Sequence, residues 1–195
     1  MENTVKQTGI MEKTGIFDED LKKRYELIME YKGVKGKSIL VVGINPASDT
    51  IQIADTTTNY LSNNLLTMGY TTITLCNLYA NITSKLKPSE IEDNTDNMEY
   101  IKEVLTSREF DHILIGFGNT FISNKKVDEQ KAILYQMLKP YAKKLVEITD
   151  SEGKYQKLRT IHPLFAGQRF SGKWELRKIE APKRVTKKKQ EKGAE

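Results

Sequence analysis

The feature that most constrains the fold is an uninterrupted apolar run at residues 38–43, with the sequence SILVVG. Apolar runs that contain β-branched residues and no polar alternation are typical of strands covered on both faces, as in parallel sheets. Ile44, Asn45 and Pro46 follow Gly43 directly, and proline stiffens such a turn. The run therefore predicts a central strand with a rigid polar turn at its carboxyl end.

Segments with strand character alternate with segments of helical periodicity along the chain. We predict further strands at residues 71–78, 111–116 and 145–148, and helices near residues 61–68, 98–105 and 126–144, the last broken near Pro140. Alternating strands and helices predict a parallel sheet with right-handed connections and helices on both faces. We therefore expect an α/β fold with three layers, α/β/α, around a central, mainly parallel sheet of four strands.

The N-terminal part has a different pattern. Residues 1–18 show no sustained period and are predicted to form a flexible leader, whereas apolar side chains recur at helical spacing in residues 19–31, which predicts a first helix. The 195 residues are enough for one buried core and few for two. We expect a single α/β domain over residues 19–180 and a disordered basic tail over residues 181–195.

The charge of the chain is compatible with DNA or a nucleotide as a partner. The formal net charge is +5 and the pI is about 9.1, and basic residues crowd in the tail, where they could hold phosphates or simply keep the terminus soluble. A loop at residues 167–174 mixes cations with aromatic residues and suits contacts with bases, or it is a surface loop with Trp174 packed on the core. The expected nucleic-acid contacts are Arg169, Lys173, Lys183, Arg184, Lys187, Lys188 and Lys189.

The cysteine and histidine content and the lengths of the apolar runs predict the cellular compartment and the cofactors. A single cysteine, Cys76, cannot form an internal disulfide, and its apolar neighbours predict a buried thiol. No apolar run approaches the ~20 residues that span a bilayer, and the first residues lack the apolar core of a secretory signal. We expect a cytoplasmic monomer. One cysteine and two distant histidines, His112 and His162, do not make a usual zinc site, so no metal or other cofactor is predicted.

Four polar clusters follow the predicted strands or stand at the last turn. Ligands of open parallel sheets bind outside the carboxyl ends of the strands, so these clusters should converge on one site. Each cluster alone is also compatible with ordinary turn formation, and only their repetition predicts a site. The clusters contain Asn45 and Pro46 with Ser48 and Asp49; Asn77, Tyr79 and Asn81; Gly118 and Asn119; and His162 and Pro163.

The residue types in these clusters suit hydrogen bonding. Asn45 can donate and accept at once, so it could position a water or contact the amide edge of a base, or it could only stabilise its turn. Two carboxylates lie near this turn: Asp49 is a candidate acid or base, whereas Asp55 is expected to cap the following helix. His162 could donate to a developing anion or have a structural role.

Six short motifs resemble, in order and spacing, the bacterial and phage family DUF1643, whose name records that its function was undefined. The resemblance covers about residues 24–170. The motifs are Arg24-Tyr25, Ile44-Asn45-Pro46-Ala47-Ser48, Asn77-Leu78-Tyr79-Ala80, Asn94-Thr95-Asp96-Asn97, Gly116-Phe117-Gly118-Asn119 and His162-Pro163-Leu164-Phe165.

Three of these places are also similar to the uracil-DNA glycosylase superfamily. The mismatch-specific branch of that superfamily has a strand followed by Gly-Ile-Asn-Pro, which residues 40–46 resemble. Asn77 matches an asparagine at the end of a middle strand, and His162 with Pro163 matches a His-Pro turn near the C-terminus. The resemblance implies a fold like that of uracil-DNA glycosylase.

The same resemblance implies a role for each matched residue. Asn45 would position the attacking water at the sugar C1′, and Asn77 would hydrogen-bond a base flipped out of the stack. His162 would stabilise negative charge on the departing base, and Tyr79 or Phe117 would supply a stacking face. The residues expected to surround the base are Gly43, Ile44, Pro46, Asn77, Tyr79, Phe117 and Asn119.

The chain departs from that superfamily at two places. Residues 47–49, Ala-Ser-Asp, replace the glycine expected after the first motif, and no small polar residues or wedge follow the His-Pro turn. We expect a nucleic-acid-processing hydrolase, of the kind that acts in DNA repair, that cleaves the N-glycosidic bond of a uracil-like or modified base. The alternative is a non-catalytic module of a phage or mobile element that binds a nucleotide or nucleic acid.

Overall fold

The computed structural model describes residues 4–91, 93–119 and 121–179. Seven strands and four α-helices lie within these ranges, with short 3-10 helices at Pro88–Glu90 and Lys139–Lys144. The strands are β1 (Ile10–Phe17), β2 (Arg24–Lys32), β3 (Lys37–Gly43), β4 (Tyr70–Asn77), β5 (His112–Ile115), β6 (Leu145–Asp150) and β7 (Trp174–Lys178), and the helices are α1 (Thr56–Thr67), α2 (Thr95–Ser107), α3 (Lys125–Leu138) and α4 (Pro163–Arg169). The predicted tail, with Lys183, Arg184, Lys187, Lys188 and Lys189, lies outside the described residues.

All seven strands form one mixed sheet in the order β1-β2-β4-β3-β5-β6-β7. The four central strands β4, β3, β5 and β6 are parallel, whereas β1 and β2 extend the sheet antiparallel at one edge and β7 at the other. The prediction of central parallel strands is confirmed, but the prediction of a four-stranded sheet is wrong. Three antiparallel strands are added because the chain before β3 and after α4 also pairs with the sheet.

The N-terminal segment differs most from its prediction. The helix expected at residues 19–31 is wrong, because this segment contains β2, and Ile10–Phe17 of the expected flexible leader forms β1. Leu27 of β2 lies opposite Leu75 of β4, and β1 then pairs with β2 along its length. A short apolar pattern is compatible with a helix or a strand. This segment forms a strand because it pairs with β4, which is distant in sequence.

The central strand β3 is buried on both faces, as its apolar run predicts. Leu40 and Val42 pack with residues of α2 and α3, whereas Ile39 and Val41 pack with residues of α1 and α4. Because side chains alternate along a strand, these two core clusters lie on opposite faces of the sheet. Helices therefore cover both faces, and the loops at the carboxyl ends of the parallel strands are left to form a site.

Two smaller predictions are also confirmed. α3 ends at Leu138 and gives way to the 3-10 helix near Pro140, since proline disrupts the interior of an α-helix. Cys76 is a free, buried thiol, and burial raises its pKa. No helix in the part of the chain that the structure describes is long and apolar enough to cross a membrane.

Candidate functional site

Three of the four predicted clusters contribute to one cavity at the carboxyl edge of the sheet. The turn after β3 brings Asn45, the end of β4 brings Asn77, and the turn before α4 brings His162. The cavity measures about 50 Å³, which is room for a few water molecules. Its lining consists of Arg24, Val41, Gly43, Ile44, Asn45, Pro46, Ala47, Asp55, Thr57, Thr58, Leu61, Leu75, Asn77, His162 and Pro163.

Asn77 is the most buried polar group that the sequence predicted for this cavity. It is 3% exposed, and its Nδ2 has no hydrogen-bond partner among the described residues. Gly43 lies opposite it in the β3–β4 register, and a Cβ at that glycine would lie 2.6 Å from Asn77 Oδ1. The glycine thus leaves space for the Asn77 amide, whose N–H groups are free for a ligand.

The side chain of Asn45 forms hydrogen bonds at its own turn. Its Nδ2 donates to the carbonyl oxygens of Pro46 at 3.0 Å and Thr83 at 2.7 Å. Two carbonyl acceptors fix which side of the amide carries the nitrogen, because a carbonyl oxygen can only accept. The Asn45 nitrogen therefore stabilises the turn, and Oδ1 is the atom that could hold a water.

His162 is the N-cap residue that precedes α4, and its Nδ1 accepts a hydrogen bond from the Leu164 amide at 3.2 Å. A backbone N–H can only donate, so Nδ1 is unprotonated and the proton of the neutral ring is on Nε2. Burial lowers the pKa of His162 below its usual value, and the charge of Asp55 opposes this in part. The imidazole is therefore neutral near pH 7 and can donate from Nε2.

The loop after β5 packs against the turn that contains His162. Gly118 has a positive φ of 69°, and a Cβ there would lie 2.9 Å from the Cβ of His162. The Gly118 amide donates to the Thr160 carbonyl at 2.8 Å. Part of the predicted Gly118 cluster thus contacts the histidine turn, although Asn119 is exposed and does not line the cavity.

A buried carboxylate on β6 holds the segment that leads to His162. Glu147 is fully buried and accepts from the Thr160 amide at 2.7 Å and from Arg177 Nε at 2.9 Å. Arg177 also donates to the carbonyl oxygens of Gln156 and Leu158 at 2.5 Å each. The position of His162 therefore depends on β6 and β7, which lie outside the motifs singled out in the sequence.

The two carboxylates near the first turn have different positions. Asp55 caps α1 by accepting from the Thr58 amide at 2.8 Å, as predicted, and it also lines the cavity. Asp49 is exposed, accepts from the Thr50 hydroxyl at 3.2 Å and does not line the cavity. Of the two, only Asp55 is placed to influence a ligand.

Arg24 is a charged cavity residue for which the sequence predicted no role. It starts β2, and because β2 is antiparallel to β4, this start lies at the carboxyl edge of the sheet. The side chain is 3% exposed, Nη1 donates to the Ser48 carbonyl at 3.2 Å and Nε has no partner among the described residues. Its one sequence signal is the Arg24-Tyr25 motif, which the mistaken helix placed away from the strand ends.

The two aromatic residues predicted to stack on a base, Tyr79 and Phe117, lie in the core cluster that packs with α2 and α3. Phe117 is 3% exposed and packs edge-to-face on Tyr135. Tyr79 is 2% exposed and lines a separate cavity of about 140 Å³ with Asn94 and Gln130. Burial raises the pKa of Tyr79 to about 12. Neither ring lines the cavity that contains Asn77.

The other predicted contact residues lie near the C-terminal strand. Arg169 is exposed in the last turn of α4, and Lys173 is exposed and forms an ion pair with Glu152. Trp174 is 6% exposed and belongs to a core cluster, which confirms the core alternative for that residue. In the ranges that the structure describes, no group of three or more His, Cys, Asp or Glu side chains could hold a metal ion.

Comparison with known proteins gives one match. A family model described as "Protein of unknown function (DUF1643)" matches residues 24–164, which include every residue that lines the cavity. No curated protein and no solved structure matches the chain. The family model covers well over half of the 195 residues. The chain therefore belongs to the DUF1643 family.

Proposed function

We propose that the protein processes nucleic acid by hydrolysing the N-glycosidic bond of a uracil-like or modified base at this cavity. The observation that carries the proposal is the meeting of two groups in one cavity: the buried Asn77 amide, whose Nδ2 has no hydrogen-bond partner among the described residues, and a neutral His162. An amide and an imidazole N–H are the groups that can hold the edge of a base and stabilise charge as it leaves.

Each residue has a defined part in the proposed reaction. The oxygen of a water, held by Asn45 Oδ1, forms a bond to the sugar C1′, and the C1′–N bond breaks with its electron pair going to the base. His162 Nε2 donates a hydrogen bond to the base as it becomes negative. The amide of Asn45 cannot accept a proton, so the proton of the water passes to solvent.

A base enters such a site only after leaving the stack. The cavity of about 50 Å³ has room for only a few waters. We propose that the segment at residues 47–54, of which Ala47 lines the cavity, moves outward to admit a complete base. This segment has no helix or strand, and Ile53 is 74% exposed. Few buried contacts allow a loop to open at low cost.

We also propose a fold class, a polymer substrate and a cellular role for the protein. A central parallel sheet, helices on both faces and the order of Asn45, Asn77 and His162 support a three-layer fold like that of uracil-DNA glycosylase. The basic composition supports DNA as the polymer. We propose a DNA-repair role in the cytoplasm for a protein that acts as a monomer.

A specific observation favours the non-catalytic alternative, in which the cavity binds a nucleotide or nucleic acid for a phage or mobile element. Both N–H groups of Asn45 are used in its turn, and the Asp55 carboxylate that lines the cavity is used as a helix cap. A site without an available strong base is suited to binding without turnover.

Product formation separates the two functions. Duplexes and single strands that carry uracil or modified pyrimidines are incubated with the protein and then cleaved with alkali at abasic sites. The proposal expects abasic sites with at least one base, and a loss of roughly 100-fold or more in Asn45→Ala, Asn77→Ala and His162→Gln. Exposed Asn63→Ala on α1 is the control. Affinity without any abasic site would establish the alternative.

A further inference from the structure

Arg24 is a buried cation without an anionic partner in the described part of the chain. Its side chain is 3% exposed, and none of the ion pairs there includes it. Arginine is almost never fully buried unless it is paired, and the guanidinium has five N–H donors to satisfy. Only the bond from Nη1 to the Ser48 carbonyl is present, and Nε has no partner.

Two further side chains of the cavity present hydrogen-bond donors to a ligand. Asn77 Nδ2 is buried and has no partner within the described ranges of the chain. His162 presents Nε2–H because its Nδ1 accepts from the Leu164 amide. The carboxylate of Asp55 lines the same cavity, but it caps α1 and does not form an ion pair with Arg24. The proposed reaction uses Asn45 Oδ1 for the water, so these donors are left for acceptors of the ligand. The buried positive charge of Arg24 favours a negative acceptor among them.

We infer that Arg24, with Asn77 and His162, forms an anion-binding site, and that the ligand of the cavity carries an anionic oxygen. The identity of that oxygen rests on the proposed function. It belongs either to a phosphate of the nucleotide or to the base that departs with the electron pair of the broken C1′–N bond. Both sources share the chemistry that a guanidinium recognises.

The position of Arg24 is fixed independently of any ligand. The Arg24 amide donates to the Ala80 carbonyl at 2.8 Å, just beyond the end of β4, and Lys23 forms an isolated bridge with Asn81. Burial lowers the pKa of Arg24 and the charge of Asp55 raises it, and a guanidinium remains charged at neutral pH. The site is thus a preorganised positive charge in a buried position.

A substitution can remove this charge without disturbing the fold. Methionine has a length similar to the arginine stem, and removing a buried charge that has no ion-pair partner also removes its desolvation cost. We therefore expect Arg24→Met to have an unchanged or higher melting temperature. Lys102→Met is the control, because it removes one positive charge from an exposed position of α2.

The test measures anion binding by chemical-shift titration at constant ionic strength. The probes are inorganic phosphate, barbiturate, which is a pyrimidine-ring anion at neutral pH, and uracil, which is its neutral counterpart. We expect the wild-type protein and Lys102→Met to bind at least one anion, and Arg24→Met to bind it at least about tenfold more weakly. Tighter binding of phosphate assigns the oxygen to the nucleotide, and tighter binding of barbiturate than of uracil or phosphate assigns it to the departing base.

The inference is overturned if the wild-type protein binds neither anion, or if Arg24→Met binds them as well as the wild type does. These outcomes differ from failure of the proposed function. Anion binding that depends on Arg24, without abasic sites in any substrate, would contradict hydrolysis and leave the anion site standing. If Arg24→Met formed abasic sites as fast as the wild-type protein does, the anion site would be contradicted and hydrolysis would stand.

Discussion

The Oδ1 atom of Asn77 lies over the α-carbon of Gly43, on the neighbouring parallel strand, where a Cβ would approach it to 2.6 Å. Real Cβ atoms do not come this close to another heavy atom. The glycine of the first motif and the asparagine of the second are therefore one structural unit, in which the missing side chain of one leaves room for the other.

This relationship gives the first prediction. In Gly43→Ala the methyl group must displace the Asn77 amide, so binding of a base or anion should be lost and the free energy of unfolding should fall by about 1–3 kcal/mol, as for other overpacked cores. Chemical denaturation and ligand titration measure the two effects. Gly9→Ala is the matched control because a Cβ there meets nothing within 4 Å. Full binding by Gly43→Ala would show that the contact is dispensable.

The second prediction concerns His162 and pH. Burial lowers its pKa, so the unfolded state binds more protons than the folded state as the pH falls below about 6.5, the usual histidine value. The stability contributed by the neutral ring is complete above that pH and is lost as the pH falls through the lowered pKa. Histidine NMR titration should give a midpoint below 6.5 for His162.

His112 provides the comparison for this measurement. Its pKa is also lowered by burial, but its ring bonds to the Tyr70 hydroxyl at 2.8 Å, away from the cavity. In His162→Gln the acid-dependent loss of stability should be smaller than in the wild type, while the His112 resonance should titrate as before. A His162 midpoint at or above 6.5 would contradict the buried, neutral ring.

A third prediction separates the two properties of Asp55, its hydrogen bond and its charge. Asp55→Ala removes the N-cap of α1 and should cost about 1 kcal/mol of stability, whereas Asp55→Asn keeps a capping oxygen and should cost little. Thermal or chemical unfolding measures this difference. Asn124→Ala removes the corresponding cap of α3, where Asn124 accepts from the Val127 amide at 3.2 Å, and should cost a similar amount. Equal losses in both Asp55 variants would mean that charge, not capping, is what stabilises the helix.

The fourth prediction concerns the segment between β6 and α4. Arg177→Met removes the donors to Gln156, Leu158 and Glu147, so amide hydrogen exchange at Thr160 should become faster and the His162 midpoint should shift. Lys178→Met, an exposed neighbour on β7, should change neither. Unaltered exchange at Thr160 would mean that Arg159, which also pairs with Glu147 at 2.7 Å, is sufficient to hold the segment.

Much of the site could be predicted because its signals are local. The apolar run of β3 has no alternation, so it had to be covered on both faces, and the rule for parallel strands then places Asn45, Asn77 and His162 at one edge. All three line one cavity. The capping role of Asp55 was equally local, since a cap depends on three consecutive residues of the helix that follows.

The aromatic residues and Arg24 depended on contacts that are distant in sequence. Tyr79 and Phe117 follow strand ends, but the packing of α2 and α3 draws their rings into the core on the other face. Arg24 lies in a segment whose apolar spacing suits a helix, and only pairing with β4 makes it the start of a strand. A period measured over a few residues cannot include a partner that lies some fifty positions away.

The sequence by itself determined the central parallel sheet, the edge at which the site lies and six of the residues that line it, which are Gly43, Ile44, Asn45, Pro46, Asn77 and His162. These features could be predicted because apolar burial and turn chemistry act over a few neighbouring positions. The tertiary structure alone decided the antiparallel strands β1, β2 and β7, the presence of Arg24 in the cavity and the support of His162 by Glu147. These features arise from pairing and buried charge between distant segments. These pairings and buried charges contribute to stability only when the sheet is assembled.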